Sequence, residues 1–178
     1  MDNYGEVIAK DTIRFRRLLP GPIDRVWEHL VDGSKRGRWL CSGATGSNVG
    51  EAIVLKFRNH DLSPPGDAPI PARHKEMPEE ITFHGEITAY EKPHVFGHTW
   101  QLGDELSEVR YELAEQGDKV LLTLTQMRLD TRAMQVDVCG GWHTHLDTLD
   151  DLLSGAQPGP FWKRNAEYDA LYEKRIPK

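Results

Sequence analysis

TRAMQVDVCGGWHTHLDTLDDLLSG, residues 131–155, is the stretch on which the fold turns. Met134, Val138, Trp142, Leu146, Leu149 and Leu153 step by three or four residues and form one apolar stripe, while Asp137, Asp147, Asp150 and Asp151 lie off it. The spacing predicts an amphipathic helix from Asp130 or Thr131 to Leu153, ended by Gly155. Gly140 and Gly141 sit inside it, at a cost of roughly 1 kcal/mol each relative to alanine, so they are expected to permit a close backbone approach or a bend. The acidic residues of Asp147–Asp151 read as a solvated face. A stripe this long needs a surface to lie on.

The residues before it supply that surface. Four strand signals follow one another at Thr82–Tyr90, Val95–Leu102, Glu108–Ala114 and Lys119–Arg128. They are joined by Glu91-Lys92-Pro93, Gly103-Asp104-Glu105 and Glu115-Gln116-Gly117-Asp118, and links this short imply antiparallel neighbours. Period two puts Phe96, His98, Trp100 and Leu102 on one face of the second strand, Val109, Tyr111 and Leu113 on one face of the third, and Val120, Leu122 and Leu124 on one face of the fourth. Further upstream, Val7–Leu19 reads as an opening strand closed by Pro20-Gly21-Pro22. Ile23–Val31 reads as a helix with Pro22 at its first turn, Ser34–Leu40 as a second short helix with Ser34 as N-cap, and Ala52–Phe57 as a strand. Between His60 and Glu80 lie five of the eleven prolines, a composition that excludes helix and central strand and marks a functional or mobile loop. After Gln157-Pro158-Gly159-Pro160, a last helix is expected over Phe161–Ile176.

The whole is an α+β arrangement: a curved antiparallel sheet, six strands by this count, with two short helices after the first strand and a long helix laid across one face. Residues 1–155 form this domain, and 156–178 a helical tail packed on it or on a partner. Because the sheet twists, the helix is expected to touch its rims and leave a hollow beneath, where a small hydrophobic molecule fits.

Composition narrows the function classes. The 178 residues carry 22 basic and 28 acidic side chains, a net charge of −6, which disfavours phosphate backbones and anionic lipid and so argues against nucleic acid as a partner. No apolar run approaches the ~20 residues of a membrane span. The first residues have neither the basic nor the apolar region of a signal peptide, so the cytoplasm is the expected compartment. Cys41 and Cys139, the two cysteines, form no disulfide framework and are expected to be free thiols.

In order along the chain, Val26-Trp27-Glu28-x-Leu30, Arg38-Trp39-Leu40, Gly85-Glu86-Ile87 leading to Glu91-Lys92-Pro93, Thr99-Trp100, Leu122-Thr123-Leu124-Thr125 and Gly141-Trp142-x-x-x-Leu146-Asp147-x-Leu149 resemble the START-like (SRPBCC) superfamily. Within it they resemble the branch related to the C-terminal domain of the activator of the ninety-kilodalton heat-shock protein's ATPase. The resemblance spans roughly residues 8–155. It implies a helix-grip fold with seven strands, so one strand is missing from the count, near Gly43–Gly46 or by a split of the first. It also implies an apolar cavity. Two departures stand out: Gln126 occupies a position where relatives often carry histidine, and the segment His60–Glu80 is longer than usual and could lengthen a lid.

No motif signals a cofactor or a metal. His94 and His98 fall roughly 13 Å apart along a strand, and His143 and His145 point in different directions from a helix. The Gly43–Ser47 stretch lacks the lysine and spacing of a phosphate-binding loop, and no nucleophile elbow is present. Cys139 reads as a small buried apolar residue. Trp27 and Trp39 read as structural. The residues expected to line the cavity are Phe96, His98, Trp100, Tyr111, Leu122, Val138 and Trp142. Three functions compete: a non-catalytic binder of a small hydrophobic or amphipathic ligand, a chaperone-associated protein, and a cyclase or dehydratase using His98 with Tyr111. A homodimer is compatible with all three.

Overall fold

Alternation of buried and more exposed side chains carries through Thr12–Pro20, Ala52–Phe57 and Lys119–Met127 of the computed structural model, which describes residues 2–102 and 105–177. Seven strands pair antiparallel throughout: β1 (Glu6–Ala9), β2 (Thr12–Pro20), β3 (Ala52–Phe57), β4 (Ile81–Glu91), β5 (Val95–Leu102), β6 (Glu105–Gln116) and β7 (Lys119–Met127). Their order in the sheet is β1-β2-β7-β6-β5-β4-β3. The seventh strand comes from a split of the opening one: the chain turns between Ala9 and Thr12 and pairs back on itself. Ser42 and Thr45 add only isolated bridges, to Lys56 and Ile53. Of the connection expected at Gly103-Asp104-Glu105, Gly103 and Asp104 lie outside the described residues.

The sheet curls at identifiable places. Its ladder slips between Ile87 and Ala89, and a bulge of this kind bends the strand that carries it. Beside it, a Cβ on Gly85 would lie 2.2 Å from the Thr99 carbonyl oxygen, so only glycine lets β4 press onto β5 there.

Four helices complete the domain: α1 (Ile23–Val31), α2 (Gly33–Arg36), α3 (Arg132–Leu153) and α4 (Phe161–Arg175). Two expectations about α2 are corrected. It stops at Arg36, leaving Trp39 and Leu40 in the following turn, and its cap is Asp32, whose carboxylate accepts from the N–H groups of Ser34 and Lys35. A carboxylate one residue upstream reaches both free N–H groups, which a serine inside the helix cannot. The helix ends where Arg36 turns inward: its guanidinium, 1% exposed, donates to the carbonyls of Leu30, Cys41, Gly43 and Val54 and to the Thr45 hydroxyl. A buried cation is tolerated because its N–H groups find oxygen.

α3 begins as its sequence requires, with the Thr131 hydroxyl accepting from Met134 N–H, and ends before Gly155 at φ +74°. Its stripe grips the concave face of the sheet. The acidic face is only partly solvated, which corrects the reading of Asp147–Asp151. α4 lies over it, bringing the Tyr168 hydroxyl to Asp147 and Arg164 to within 2.6 Å of Asp151, while Arg17 approaches Asp147 from β2 at 3.7 Å. Burial raises the Asp147 pKa above the ordinary carboxylate value, against the pull of Tyr168 and Arg17. The crossing of α3 and α4 passes over Gly140, where an added Cβ would lie 2.2 Å from Asp169 Oδ1.

Candidate functional site

Between α3 and the β3–β4–β5 end of the sheet lies a cavity of about 210 Å³. Its wall is aromatic. Phe57 and Trp100 stack with centroids 5.0 Å apart, Trp142 stands edge-on to Trp100 at 5.6 Å, and Phe161 packs against both His145 and Trp162 at 5.1 Å. α3 contributes Val138, Gly141, Trp142 and His145, positions i, i+3, i+4 and i+7 of one helical face. Nothing lies within 4 Å of where a Gly141 Cβ would stand, so this glycine keeps space open.

Polar groups enter the wall sparingly. Trp142 Nε1 donates to Gln126 Oε1 at 2.6 Å, Gln126 Nε2 donates to Ser107 Oγ at 2.9 Å, and Ser107 donates onward to the Trp100 carbonyl at 2.9 Å. A side-chain amide can accept and donate at once, so Gln126 satisfies this chain and sets the tilt of the indole. His145 lies with Nδ1 2.7 Å from the Trp39 carbonyl. A carbonyl can only accept, so Nδ1 carries the proton. Burial pushes the His145 pKa down to about 4, and the ring is neutral at neutral pH. The Trp100 indole N–H and the Asn59 and Asn165 side-chain oxygens are buried and find no hydrogen-bond partner among the described residues.

The proline-rich segment is the cover. Two single 3-10 turns, Asn59–Leu62 and Ala72–His74, punctuate it, and His60, Arg73, His74, Met77 and Pro78 reach the cavity. It packs on α4 through Leu62, His60 and His74, which meet Phe161 and Trp162, and polar contacts fasten it further. Asp67 accepts from the N–H groups of Trp162 at 2.8 Å and Lys163 at 3.3 Å, and so caps α4, whose own N-cap residue is a proline. Arg73 bridges Asp137 of α3 and Asp169 of α4.

Of the seven residues expected to line the cavity, Trp100, Val138 and Trp142 are on its wall. Phe96, His98, Tyr111 and Leu122 lie behind it in solid packing. Phe96 and Tyr111 stack at 5.8 Å, His98 sits 5.9 Å from the Tyr111 ring, and Trp27 of α1 closes on Phe96 at 6.2 Å. His98 Nδ1 turns to its neighbour's carbonyl, Thr99 O, at 3.0 Å, and burial pushes its pKa down to about 4. The sequence reading missed His145, although its position three residues after Trp142 places it on the same helical face.

Among the described residues, no group of three His, Cys, Asp or Glu side chains is placed to hold a metal ion, and no helix is long and apolar enough to cross a membrane. Cys41 and Cys139 are buried, and burial pushes their thiols up to about 11 and about 12.

The family model for activator of Hsp90 ATPase homolog 1-like proteins matches residues 20–154. The chain belongs to this family. Like the solved structures it resembles, this AHSA1-like chain has the helix-grip fold of the START-like superfamily. A protein of Bordetella parapertussis, determined by solution NMR, is 40% identical over 99% of this chain and 92% of that one, with a TM-score of 0.82. CalU16 from Micromonospora echinospora shares the fold at 22% identity, over 97% and 94% of the two chains, with a TM-score of 0.66. DynU16, from the dynemicin biosynthetic locus, does so at 18% identity over 85% of this chain and 50% of that one, with a TM-score of 0.65. No curated protein matches the AHSA1-like chain.

Proposed function

We propose that this AHSA1-like domain is a non-catalytic binder of one small, largely apolar molecule, held between the sheet, α3, α4 and the proline-rich cover. The carrying observation is the cavity itself: about 210 Å³, aromatic on most sides, with a few polar groups at fixed places. A dry cavity of about 150 Å³ accepts benzene, so this one suits a one- or two-ring aromatic compound or a short chain. The origin of DynU16 in a biosynthetic locus is in keeping with a guest of that kind. The acid–base alternative has less support, because His98 and Tyr111 are packed behind the wall. Residues 156–178 belong to the binding unit in this reading, since Phe161 and Trp162 line the cavity. Two buried thiols suit a reducing compartment and hence the cytoplasm.

The test is a thermal-shift series with fatty acids, aromatic compounds and polyketide-like compounds on the wild type and on Gly141→Leu. A ligand present at a hundredfold its Kd adds about 2.7 kcal/mol, which raises Tm by roughly 5–10 °C in a domain of this size. The wild type is expected to respond to at least one aromatic class, and Gly141→Leu, which fills the cavity from α3, to lose that response while staying folded. A wild type flat across every class, or a shift that survives the leucine, removes the proposal. The family's name carries a second reading, association with a chaperone ATPase, which stands or falls on co-purification with the cognate chaperone and stimulation of its ATPase.

A further inference from the structure

We infer that His145 makes this cavity selective for uncharged aromatic molecules bearing a hydroxyl group, which donates a hydrogen bond to His145 Nε2, and that it excludes the corresponding carboxylates. The inference rests on the binding reading above and goes on to name the chemical class.

The His145 ring is held in one orientation. His145 is 6% exposed and is held at Nδ1 by the Trp39 carbonyl. The ring is packed by Phe161 at 5.1 Å and Phe57 at 6.3 Å, both of them cavity residues. The Nδ1 edge is turned away toward Trp39, so the opposite edge, with Nε2, is the part that meets the cavity. The tautomer is set by the carbonyl: with the proton on Nδ1, Nε2 is a lone-pair acceptor and nothing else. It makes no hydrogen bond with any described residue. Burial holds the ring neutral far below neutral pH, so it does not convert to a donor that could greet an anion.

The other polar atoms sort the candidates further. The side-chain amides of Asn59 and Asn165 can present oxygen or N–H and do not discriminate. The Trp100 indole N–H is a fixed donor, buried and without a partner among the described residues. A hydroxyl supplies the proton that the fixed acceptor, Nε2, takes, and bare naphthalene has none to offer. A carboxylate has no proton for Nε2. Nor does it find a free cation: Arg73 is committed to Asp137 and Asp169, His74 stands 3.8 Å from Asp169 and tilts over Trp162, His60 packs edge-on against Trp162, and the other charged side chains on the wall, Glu79 and Asp137, are acidic. A carboxylate entering this wall would lose its hydration without gaining a counter-charge.

The experiment compares naphthalene, 2-naphthol and 2-naphthoate, three probes of one shape, titrated at neutral pH into the full chain by calorimetry or by quenching of Trp100 and Trp142. The naphthol is expected to bind about 3- to 10-fold tighter than naphthalene, the usual value of one net hydrogen bond, and the naphthoate at least about tenfold weaker than the naphthol. In His145→Phe the naphthol-to-naphthalene ratio is expected to fall to about 1, with naphthalene still bound. Because that variant leaves the Trp39 carbonyl unpaired and could fail to fold, the wild type supplies an independent readout. Nitrogen-15 NMR of the His145 ring should show Nε2 as an unprotonated nitrogen whose shift moves with naphthol and stays put with naphthalene. Equal binding of naphthol and naphthalene, tighter binding of naphthoate, or a proton on Nε2 in the free protein each overturns the inference while leaving the cavity a binding site. Binding of none of the three overturns the inference and the binding proposal together.

Discussion

The space under α3 has two ends built on different plans. Toward α1, the strands meet α3 through Phe96, Tyr111 and Leu122, Trp27 closes the stack, and each of these side chains is at most 2% exposed. Toward the proline-rich segment, the same sheet and the same helix carry Phe57, Phe83, Trp100 and His145, and a void lies between them. The sheet is continuous and so is the helix, so neither accounts for the difference. What differs is what comes in from the side: a two-turn helix that plugs one end with an indole, against a segment that covers the other without filling it, over a glycine on α3 that projects nothing.

The largest expected effect probes both ends at once through their histidines. His98 at the filled end and His145 at the open end are pushed down to about 4, and His143 under α4 to about 3, in each case by burial first. A folded pKa below the unfolded value of about 6.5 means that the unfolded chain takes up protons first. Stability should therefore be level above neutrality and fall as pH drops from about 6.5 toward 4, by about 1.4 kcal/mol per pH unit for each of the three histidines. Urea midpoints across that range check it, and a flat profile would mean that these rings are hydrated.

Truncation should then tell the ends apart. Phe96→Ala empties a place in the packed end and is expected to cost about 3–5 kcal/mol in a denaturant titration. Phe83→Ala, beside existing space, should cost less than half as much, and equal costs would show the two ends to be alike. The adjacent glycines sharpen the contrast on a single helix. Gly141→Ala should raise stability by up to about 1 kcal/mol, since its methyl meets open space. Gly140→Ala should be less stable than Gly141→Ala by at least about 1 kcal/mol, because its methyl displaces Asp169 from the α4 crossing and from Arg73. The smallest effect is expected at the cover: Asp67→Ala should lower stability by about 1 kcal/mol and open residues 60–80 to limited proteolysis.

These contrasts mark how far the sequence could be read. Strand faces follow from period two, so Phe96, His98 and Trp100 are all inward as expected, and the stripe on α3 follows from steps of three and four. The split of Val7–Leu19 is harder to see, because Lys10-Asp11 is a short polar turn inside an alternation that continues on both sides. Which inward residues meet empty space is not written in periodicity at all. Phe96 and Trp100 share a face of β5; Trp27 of α1 packs against one, and the cavity under the cover meets the other. His145 was within reach of helical spacing from Trp142. The capping of α4 by Asp67 was not, since it joins positions 95 apart along the chain, and local patterns carry no trace of it. The misjudged acidic face has the same origin: Asp147 and Asp151 read as solvated until a second helix, placed by tertiary packing, lies on them.

The Asp67 contact has a mechanical consequence. One carboxylate ties the roof of the chamber to the first turn of the helix that forms its side, so displacing the roof there uncaps that helix. On the proposed binding role, lifting the roof to admit a guest would cost that cap as well as the ion pairs of Arg73. Loosening that cap should therefore speed the exchange of a guest while leaving the aromatic lining unchanged.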